Sequence, residues 1–534
     1  MLRDFLEGKH HQRHCISWKM CRRPSARHSC YLQRIIPSPR QHCRSIWKAP
    51  ALSYDHSPTS MGPSQTDWNS NDEFFKFTRG RFIVDEVENL RKREIRFDMN
   101  RLARVAADSV GSSRCISIKK YPDGMFSKAF LMSMDDGREV IAKVPNPNAG
   151  VPHFTTASEV ATMDFARKVF ETPAPRVYSW NSQARSHPVG AEFIIMDKIE
   201  GVPLSQVWGT LKLPQKLQLL LAITRLQKQW LSVSFSHYGI FYYIGDVQPL
   251  EDSHYVKDGK AIRDSEFAIG PAIGRDWFDA DRSILDIEKG PYKEKKITAL
   301  IWYRQIVDAL ILKDTAITRP CLWHNDLHDD NVFVDPNNPE KITGIIDWQS
   351  CHISPLFNHN PDPAFLDWGG LEPETLDLAP QPKLSGLSPE ERSAAVHEYT
   401  IQNVLIGWRK LMHAKNPDLY RAVEFRKTAA YGLIFLAHRT FEYGEAHFQS
   451  LLVDLKDTWA DLPAVNSDIP FPGSELVAEV KEIMGDLWPD KGFIEHERYN
   501  HCKATLHEVK GQILEQLAET DEEKAEYERF WPFE

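Results

Sequence analysis

Seven polar side chains occupy the eight positions from His324 to Asn331: His324, Asn325, Asp326, His328, Asp329, Asp330 and Asn331. An apolar run, Val332 to Val334, follows, then a turn of Asp335, Pro336, Asn337, Asn338 and Pro339, then a second apolar run, Ile342 to Ile346, ending on Asp347-Trp348. Two β-branched-rich runs around an Asn/Pro turn predict a β-hairpin. A hairpin brings its outer ends together, so Asn331 and Asp347 are expected as neighbours, with Asp326 in the loop leading in. The spacing His324-x-Asp326-x4-Asn331, completed by Asp347, suits phosphoryl transfer. That reaction needs a divalent cation against the phosphate charge and a carboxylate that orients and deprotonates the attacking hydroxyl. An Asn amide and an Asp carboxylate are hard oxygen ligands of the kind Mg²⁺ takes. Asn331 and Asp347 are therefore candidate metal ligands and Asp326 the candidate base, while His324 is expected to brace the loop through hydrogen bonds. A zinc-type site built on His324, His328 and the nearby aspartates competes with this reading. Histidines four apart imply one helical face, and Asn325, Asp329, Asp330 and Asn331 are poor residues for a helix interior. A polar loop with no chemistry is the plainest alternative.

Other segments can supply what such a site lacks. Lys143 ends a strand-like run, Val140-Ile141-Ala142-Lys143, from which an ammonium can reach phosphates. Glu159 lies sixteen residues on, in a helical pattern, and is its expected ion-pair partner. Thr156-x-x-Glu159 also reads as a capping box, a competing use of the same carboxylate. The turn Pro122-Asp123-Gly124-Met125-Phe126-Ser127-Lys128 stands where a phosphate-covering hairpin belongs. Backbone N–H groups around Gly124, Phe126 and Ser127 are candidates to cap phosphate oxygens, although the turn has one glycine. The stretch Met196, Asp197, Lys198, Ile199, Glu200 reads as a connector whose backbone could meet an adenine edge; Met196, Asp197 and Ile199 are the nucleotide candidates there.

These residues need an α+β frame. A helical extension is expected over 74–112. A meander of strands follows at Cys115 to Tyr121, Lys128 to Met134 and Glu139 to Val144, with turns at Pro122-Asp123-Gly124 and Asp135-Asp136-Gly137. A helix opens at Thr155-Thr156, with Val160, Met163, Ala166 and Phe170 at helical spacing, and a further strand runs from Ala191 to Met196. After Gly201 the pattern is mainly helical: Lys212–Val233, Lys296–Lys313, Glu390–Asn416, Arg421–His447 and about Gly473–Gly485. The expected architecture is bilobal, a small β-rich N-lobe with one helix over 113–200 and a larger, mainly helical C-lobe over 201–488, with the polar site at the junction. A charged tail spans 489–534, and its acidic part, Glu515 to Glu528, reads as a solvated helix. Aromatic residues of Tyr238–Gly274, including Tyr242, Tyr243 and Phe267, are expected either to line an acceptor pocket or to pack as a surface loop.

Composition bounds the reading further. A chain of 534 residues with 42% hydrophobic and 26% charged residues has ample core for two or three domains. The net charge of −9 argues against general nucleic-acid binding, which needs a basic surface. Residues 1–50 hold eleven Lys/Arg against Asp4 and Glu7, a composition expected of a mitochondrial transit peptide, with a basic tail or an untranslated upstream extension as alternatives. Residues 51–73 read as a Ser/Pro/Asn-rich linker. The cysteines show no CxxC spacing, so no disulfide framework is expected, and no apolar run approaches the length of a transmembrane segment.

At these residues the chain resembles the aminoglycoside phosphotransferase-like branch of the protein-kinase-like fold, over about Phe74 to Trp488. The resemblance implies Lys143 and Glu159 as an ion pair, Asp326 as catalytic base, Asn331 and Asp347 as metal ligands, and ATP with Mg²⁺ as cofactors. Three stretches, FFKFTRGRF, PNPNAGVPHFTTASEVATMDFAR and LWHNDLHDDNVFVD, are similar to a fungal subfamily of altered-inheritance-of-mitochondria proteins, which implies a mitochondrial location. There are departures from protein kinases. Asn325 stands for the arginine of H-R-D, Asp347-Trp348-Gln349 for D-F-G, and Asp329-Asp330 for the Pro-Gly common in antibiotic kinases. No A-P-E follows, so neither activation-loop control nor peptide docking is implied. The expected function is phosphotransfer to a small hydroxyl-bearing molecule. The alternative is a non-catalytic nucleotide-binding or scaffold protein.

Overall fold

The computed structural model describes residues 66–273, 293–310, 312–366, 373, 375–437, 440–456, 458–462, 471, 475–489 and 494–529. The basic segment 1–50 and the linker up to residue 65 lie outside the described residues. Two compact units emerge, one holding residues 66–273 and 319–417, the other 293–318 and 418–529.

The first unit begins with α1 (Glu86–Arg91) and α2 (Met99–Val110). Asp98 caps α2 by accepting the Arg101 N–H at 3.0 Å, and Gly111, at φ 74°, ends it in the left-handed region open to glycine. Five strands form an antiparallel sheet in the order β1-β2-β3-β5-β4: β1 (Cys115–Lys120), β2 (Ser127–Met134), β3 (Glu139–Pro145), β4 (Val177–Asn181) and β5 (Phe193–Asp197). Strand parity gives the sheet two characters. On one face Phe130, Met132, Met134, Val140, Ala142 and Val144 share a core with Phe74, Phe75 and Phe97 and with Met99, Leu102 and Ala106 of α2. The N-terminal extension is thus half of the small core. Only Glu86–Arg91 of the charged run expected to be helical is α-helix before Met99. On the opposite face lies α3 (Phe154–Lys168), which begins one residue ahead of the expected Thr155.

A connector leads to β6 (Val202–Pro203), α4 (Leu213–Leu231), and a run of short strands: β7 (Val233–Phe235), β8 (Ile240–Tyr243), β9 (Tyr255–Lys257), β10 (Lys260–Ile262) and β11 (Phe267–Gly270). These strands replace the loop or pocket expected at Tyr238–Gly274. Their aromatics are core: Phe241 stacks on Phe165 of α3 at 4.4 Å, Phe267 meets it edge-on at 5.4 Å, and the Tyr243 hydroxyl donates to Asp164 at 3.0 Å. After β12 (Pro320–Trp323) comes the expected hairpin, β13 (Val332–Asp335) with β14 (Asn338–Ile345). Its turn is tighter than predicted, with Asp335 paired to Asn338, and β6 adds a third strand. Strand β15 (His352–Pro355) pairs with β12, and α5 (Pro389–Lys415) packs against α4.

The second unit is helical. The single helix expected over Arg421–His447 is three, Pro417–Arg426, Ala429–Leu436 and Thr440–Lys456, because the Thr428 hydroxyl caps a new start by accepting the Tyr431 N–H. The acidic part of the tail is solvated as expected, exposed at Glu515, Glu519, Asp521, Glu522 and Glu528, but it is split between two helices, His496–Leu517 and Asp521–Arg529; the segment before it packs. Helix His496–Leu517 buries Cys502, Leu506, Val509 and Ile513 against Val477, Val480, Met484 and Trp488. No helix among the described residues is long and apolar enough to cross a membrane.

Candidate active site

Residue Lys143 lies on β3 opposite Ala129, on the face turned toward α3. Its Nζ donates to Glu159 Oε1 at 2.6 Å and to Asp347 Oδ1 at 2.8 Å. Glu159 is well inside α3, and the capping-box alternative is absent: Thr156 is itself helical and its hydroxyl donates to Glu192. The lysine and Glu159 side chains are 8% and 4% exposed, whereas Asp347 keeps 40% of its side chain open to solvent.

One ammonium therefore serves two carboxylates. Burial pulls the Lys143 pKa down, but the charges of Asp347 and Glu159 outweigh it and hold the group above its ordinary value. Burial pushes Glu159 up, Lys143 pulls it back, and the negative charge of Asp347 pushes it further, leaving it above the usual carboxylate range. For Asp347 burial also pushes upward, but the lysine's charge and hydrogen bond prevail and hold it low.

The hairpin makes the remaining geometry. Ile346 N–H donates to the Asn331 carbonyl at 3.0 Å, extending the ladder by one step and placing Asp347 next to the start of β13. At the end of that ladder Asp347 adopts φ 62°, a left-handed conformation that Asp tolerates better than most residues. Asn331 is buried, and its Nδ2 donates to the Asp326 carbonyl at 3.0 Å, which leaves Oδ1 as the side chain's acceptor. The Asp326 side chain is 65% exposed.

His324 is buried, packs edge-on against Trp348 at 4.8 Å, and its Nε2 lies 3.0 Å from the Ile346 carbonyl. Burial holds its pKa below the ordinary value, so the neutral ring donates from Nε2. The loop is thereby tied to the residue before Asp347. His328, Asp329 and Asp330 can bring one ligand atom each within 4.8 Å of one another, but Asp330 Oδ1 already accepts the Ser205 hydroxyl at 2.6 Å.

The nucleotide candidates are placed as follows. Gly124 N–H closes the turn onto the Ser127 carbonyl at 3.1 Å, and the Phe126 carbonyl accepts the Asn146 N–H at 2.8 Å. With its amide oriented to satisfy both ends, Asn146 also accepts the Ser127 N–H at 3.2 Å. Two amides expected to be open are thus engaged. Met196 is buried in β5; the Asp197 N–H and carboxylate both bind the Arg176 backbone, and its carboxylate also accepts the Tyr178 hydroxyl. Ile199 sits under the hairpin, where a Cβ at Gly344 would lie 2.5 Å from its Cγ2.

Sequence reasoning missed the brace under the His324–Asn331 loop. Asn325 Oδ1 accepts the Asn360 N–H at 3.1 Å, and Asp362 in the same segment takes a two-pronged ion pair from Arg409 at 2.6 and 2.9 Å. Nothing local in the sequence marked this pair, 47 residues apart.

Residues 117–358 match the family model described as "Phosphotransferase enzyme family". The match spans 242 of the chain's 534 residues. It contains Lys143, Glu159, Asp326, Asn331 and Asp347. Over 336 residues the chain is 28% identical to a subtelomeric hrmA-associated cluster protein of Aspergillus fumigatus, covering 50% of this chain and 64% of that protein's length. It is 22% identical over 493 residues to altered inheritance of mitochondria protein 9, mitochondrial, of Yarrowia lipolytica, covering 79% of this chain and 84% of the relative. Homologues in several other yeasts carry the same mitochondrial name. Among solved structures, the GDP complex of wild-type aminoglycoside 2'-phosphotransferase-IIIa aligns at 12% identity and a TM-score of 0.32, over 77% of this chain and 98% of that one.

Proposed function

We propose that the chain transfers a phosphoryl group from ATP to the hydroxyl of a small molecule. The observation that supports this most directly is the Lys143 ammonium shared between Glu159 at 2.6 Å and Asp347 at 2.8 Å. A buried lysine fixed by one carboxylate on a helix and facing another beside a polar loop is arranged to meet phosphate charge. Asp326, exposed at the loop surface, would orient the acceptor hydroxyl and take its proton. His324 holds the loop, and so Asp326, in register with Asp347. Asn331 and Asp347 would hold Mg²⁺: the Asn331 Oδ1 left as acceptor and the half-open Asp347 carboxylate are suitable hard donors. When bound, the cation supplies charge neutralisation along the phosphates. On the names of the yeast homologues and the acid-poor basic segment 1–50, we place the activity in mitochondria.

One observation favours a second reading, nucleotide binding without turnover. The Gly124 and Ser127 N–H groups are engaged within their own turn and by Asn146. Thermal shift with ATP and Mg²⁺, followed by ATP consumption over metabolite pools, separates the two. On the enzymatic reading, Asp326→Asn lowers turnover by roughly 10²- to 10⁴-fold and leaves the ATP-induced shift in place. Full turnover in that variant removes Asp326 as the base, and binding with no turnover for any pool selects the second reading.

A further inference from the structure

The inward row of β2 runs Lys128, Phe130, Met132, Met134, so a lysine stands in an apolar row and is fully buried. Its partner, Asp123, is also fully buried and belongs to the turn between β1 and β2. A buried charge needs pairing and saturation by hydrogen bonds, and the N-terminal extension supplies both. Asp123 Oδ2 accepts the Thr78 N–H, the Thr78 hydroxyl and Lys120 Nζ, each at 2.8 Å, while Oδ1 faces Lys128 Nζ at 3.3 Å. The two lysines also donate outward, Lys120 to the Glu73 and Lys76 carbonyls at 2.9 and 2.7 Å, Lys128 to the Arg93 carbonyl at 2.7 Å. Every partner named outside β1, β2 and their turn lies between residues 73 and 93.

The turn so held is the one beside the lysine site. Strand β3 returns toward it, with Lys143 opposite Ala129, two residues from the start of β2. On its far side the Phe126 carbonyl accepts the Asn146 N–H at 2.8 Å, and Asn148 Nδ2 donates to the Met125 carbonyl at 3.3 Å. Gln349, two residues past Asp347, donates to the Ala149 carbonyl at 2.7 Å. Hydrogen bonds therefore connect the extension, the turn, the 146–149 segment and the residues next to Asp347. The turn carries one glycine, and that glycine's N–H is spent closing it.

We propose that the N-terminal extension sets the position of the Pro122–Ser127 turn through Asp123, making Asp123 and Thr78 positioning residues for the nucleotide. The turn is held from outside by a buried lysine–aspartate cluster, in place of glycine-lent mobility that a ligand would have to order. The link to nucleotide rests on the proposed phosphotransferase reading; the link between extension and turn does not.

The experiment uses the full chain and two variants, Thr78→Val, near-isosteric and losing one hydroxyl donor, and Lys120→Met, which removes the bonds to the Glu73 and Lys76 carbonyls while Lys128 keeps its own 3.2 Å bond to Lys76. Amide hydrogen exchange is followed in peptides covering 121–127 and, as an internal reference, 332–345. Exchange at 121–127 is expected to rise on the order of tenfold in each variant, the loss of a charge-assisted hydrogen bond, with 332–345 unchanged. The ATP concentration giving half the thermal shift with Mg²⁺ is expected to rise by a similar factor, and Thr78→Ser to restore both readings. Unchanged exchange at 121–127 in both variants overturns the positioning claim, as does a uniform rise that includes 332–345. If the wild-type chain gives no shift with ATP, the phosphotransferase reading fails, and the exchange comparison still decides whether the extension sets the turn.

Discussion

Replacing Lys143 by Met removes the ammonium and keeps an unbranched chain in the same space. Two carboxylates then face each other without a cation. Asp347, 40% exposed, can remain charged in water. Glu159, 4% exposed and already above the usual range, has no such outlet and is expected to take up a proton. Relative to an unfolded Glu near 4.3, holding it neutral at pH 7 costs about 1.36 × (7 − 4.3), or about 3.7 kcal/mol. That agrees with the roughly 3–5 kcal/mol expected when one partner of a buried ion pair is removed. The sign of the pH dependence follows. In the variant the native state binds a proton that the unfolded state lacks above about pH 4.3, so the penalty shrinks as pH falls, by about 1.4 kcal/mol per unit, to about 1 kcal/mol at pH 5. Urea unfolding of wild type and Lys143→Met at pH 5, 6 and 7 gives these differences directly. Adding Glu159→Gln to the variant should recover most of the loss at pH 7 and remove its pH dependence. A penalty that is the same at pH 5 and pH 7 refutes the assignment of Glu159 as the group stranded by the lysine's loss.

Three further outcomes follow from the geometry. His324 is held neutral, so its contribution to stability is complete above its unfolded value near 6.5 and declines as pH falls below it, by up to about 1.4 kcal/mol per unit. His324→Gln, which can still donate toward Ile346, should flatten thermal stability between pH 6.5 and 5, and an unchanged acid slope would exclude His324 as its source. Asp362→Ala takes both carboxylate oxygens from the buried Arg409 guanidinium, whereas Arg409→Met leaves a carboxylate that reaches water and still accepts the Trp408 Nε1–H, so the first should cost more than the second, by about 1 kcal/mol or more; equal losses in urea unfolding would contradict the asymmetry of burial. Phe241→Ala empties the stack on Phe165 and should cost about 3–5 kcal/mol, and a loss under about 1 kcal/mol would return the β8 aromatics to the surface loop that the sequence also allowed.

The parts that were legible in sequence share a property: their signal is local. The β13–β14 hairpin announces itself through β-branched runs around an Asn/Pro turn, and its ends fix where Asn331 and Asp347 meet. Helices α3 and α4 have enough turns for periodicity to show. The short strands β7 to β11 are three or four residues each, too brief for an alternation to register, and aromatics of four of them gather on Phe165 of α3. The extension's helix over Met99–Val110 was legible, but its part in the core was not, for a related reason. Its apolar residues Phe74, Phe75, Phe97 and Met99 are scattered through charged sequence, and only the sheet they cover makes them one core. The Asn325–Asn360 and Asp362–Arg409 contacts join residues 35 and 47 apart, a pairing that chain folding alone reveals.

Two lysines show how far strand reasoning reaches and where it stops. Lys128 and Lys143 lie on adjacent antiparallel strands, between Ser127 and Ala129 and between Ala142 and Val144, and each looks like a strand lysine with a free charge. Register separates them: Lys128 pairs with Val144 and Lys143 with Ala129. Since successive residues alternate faces, the two point to opposite sides of the sheet. Parity was available from the sequence, because Lys128 falls in step with Phe130, Met132 and Met134, while Lys143 falls out of step with Val140, Ala142 and Val144. What parity could not supply was the acid waiting on each side, Asp123 for the lysine facing the extension and Glu159 with Asp347 for the other. The sheet thus holds one ammonium as a structural charge and the other beside the candidate site. Bringing Lys128 to the face of Lys143 would require a one-residue slip of β2 against β3, which would turn Phe130, Met132 and Met134 out of the core they share with α2.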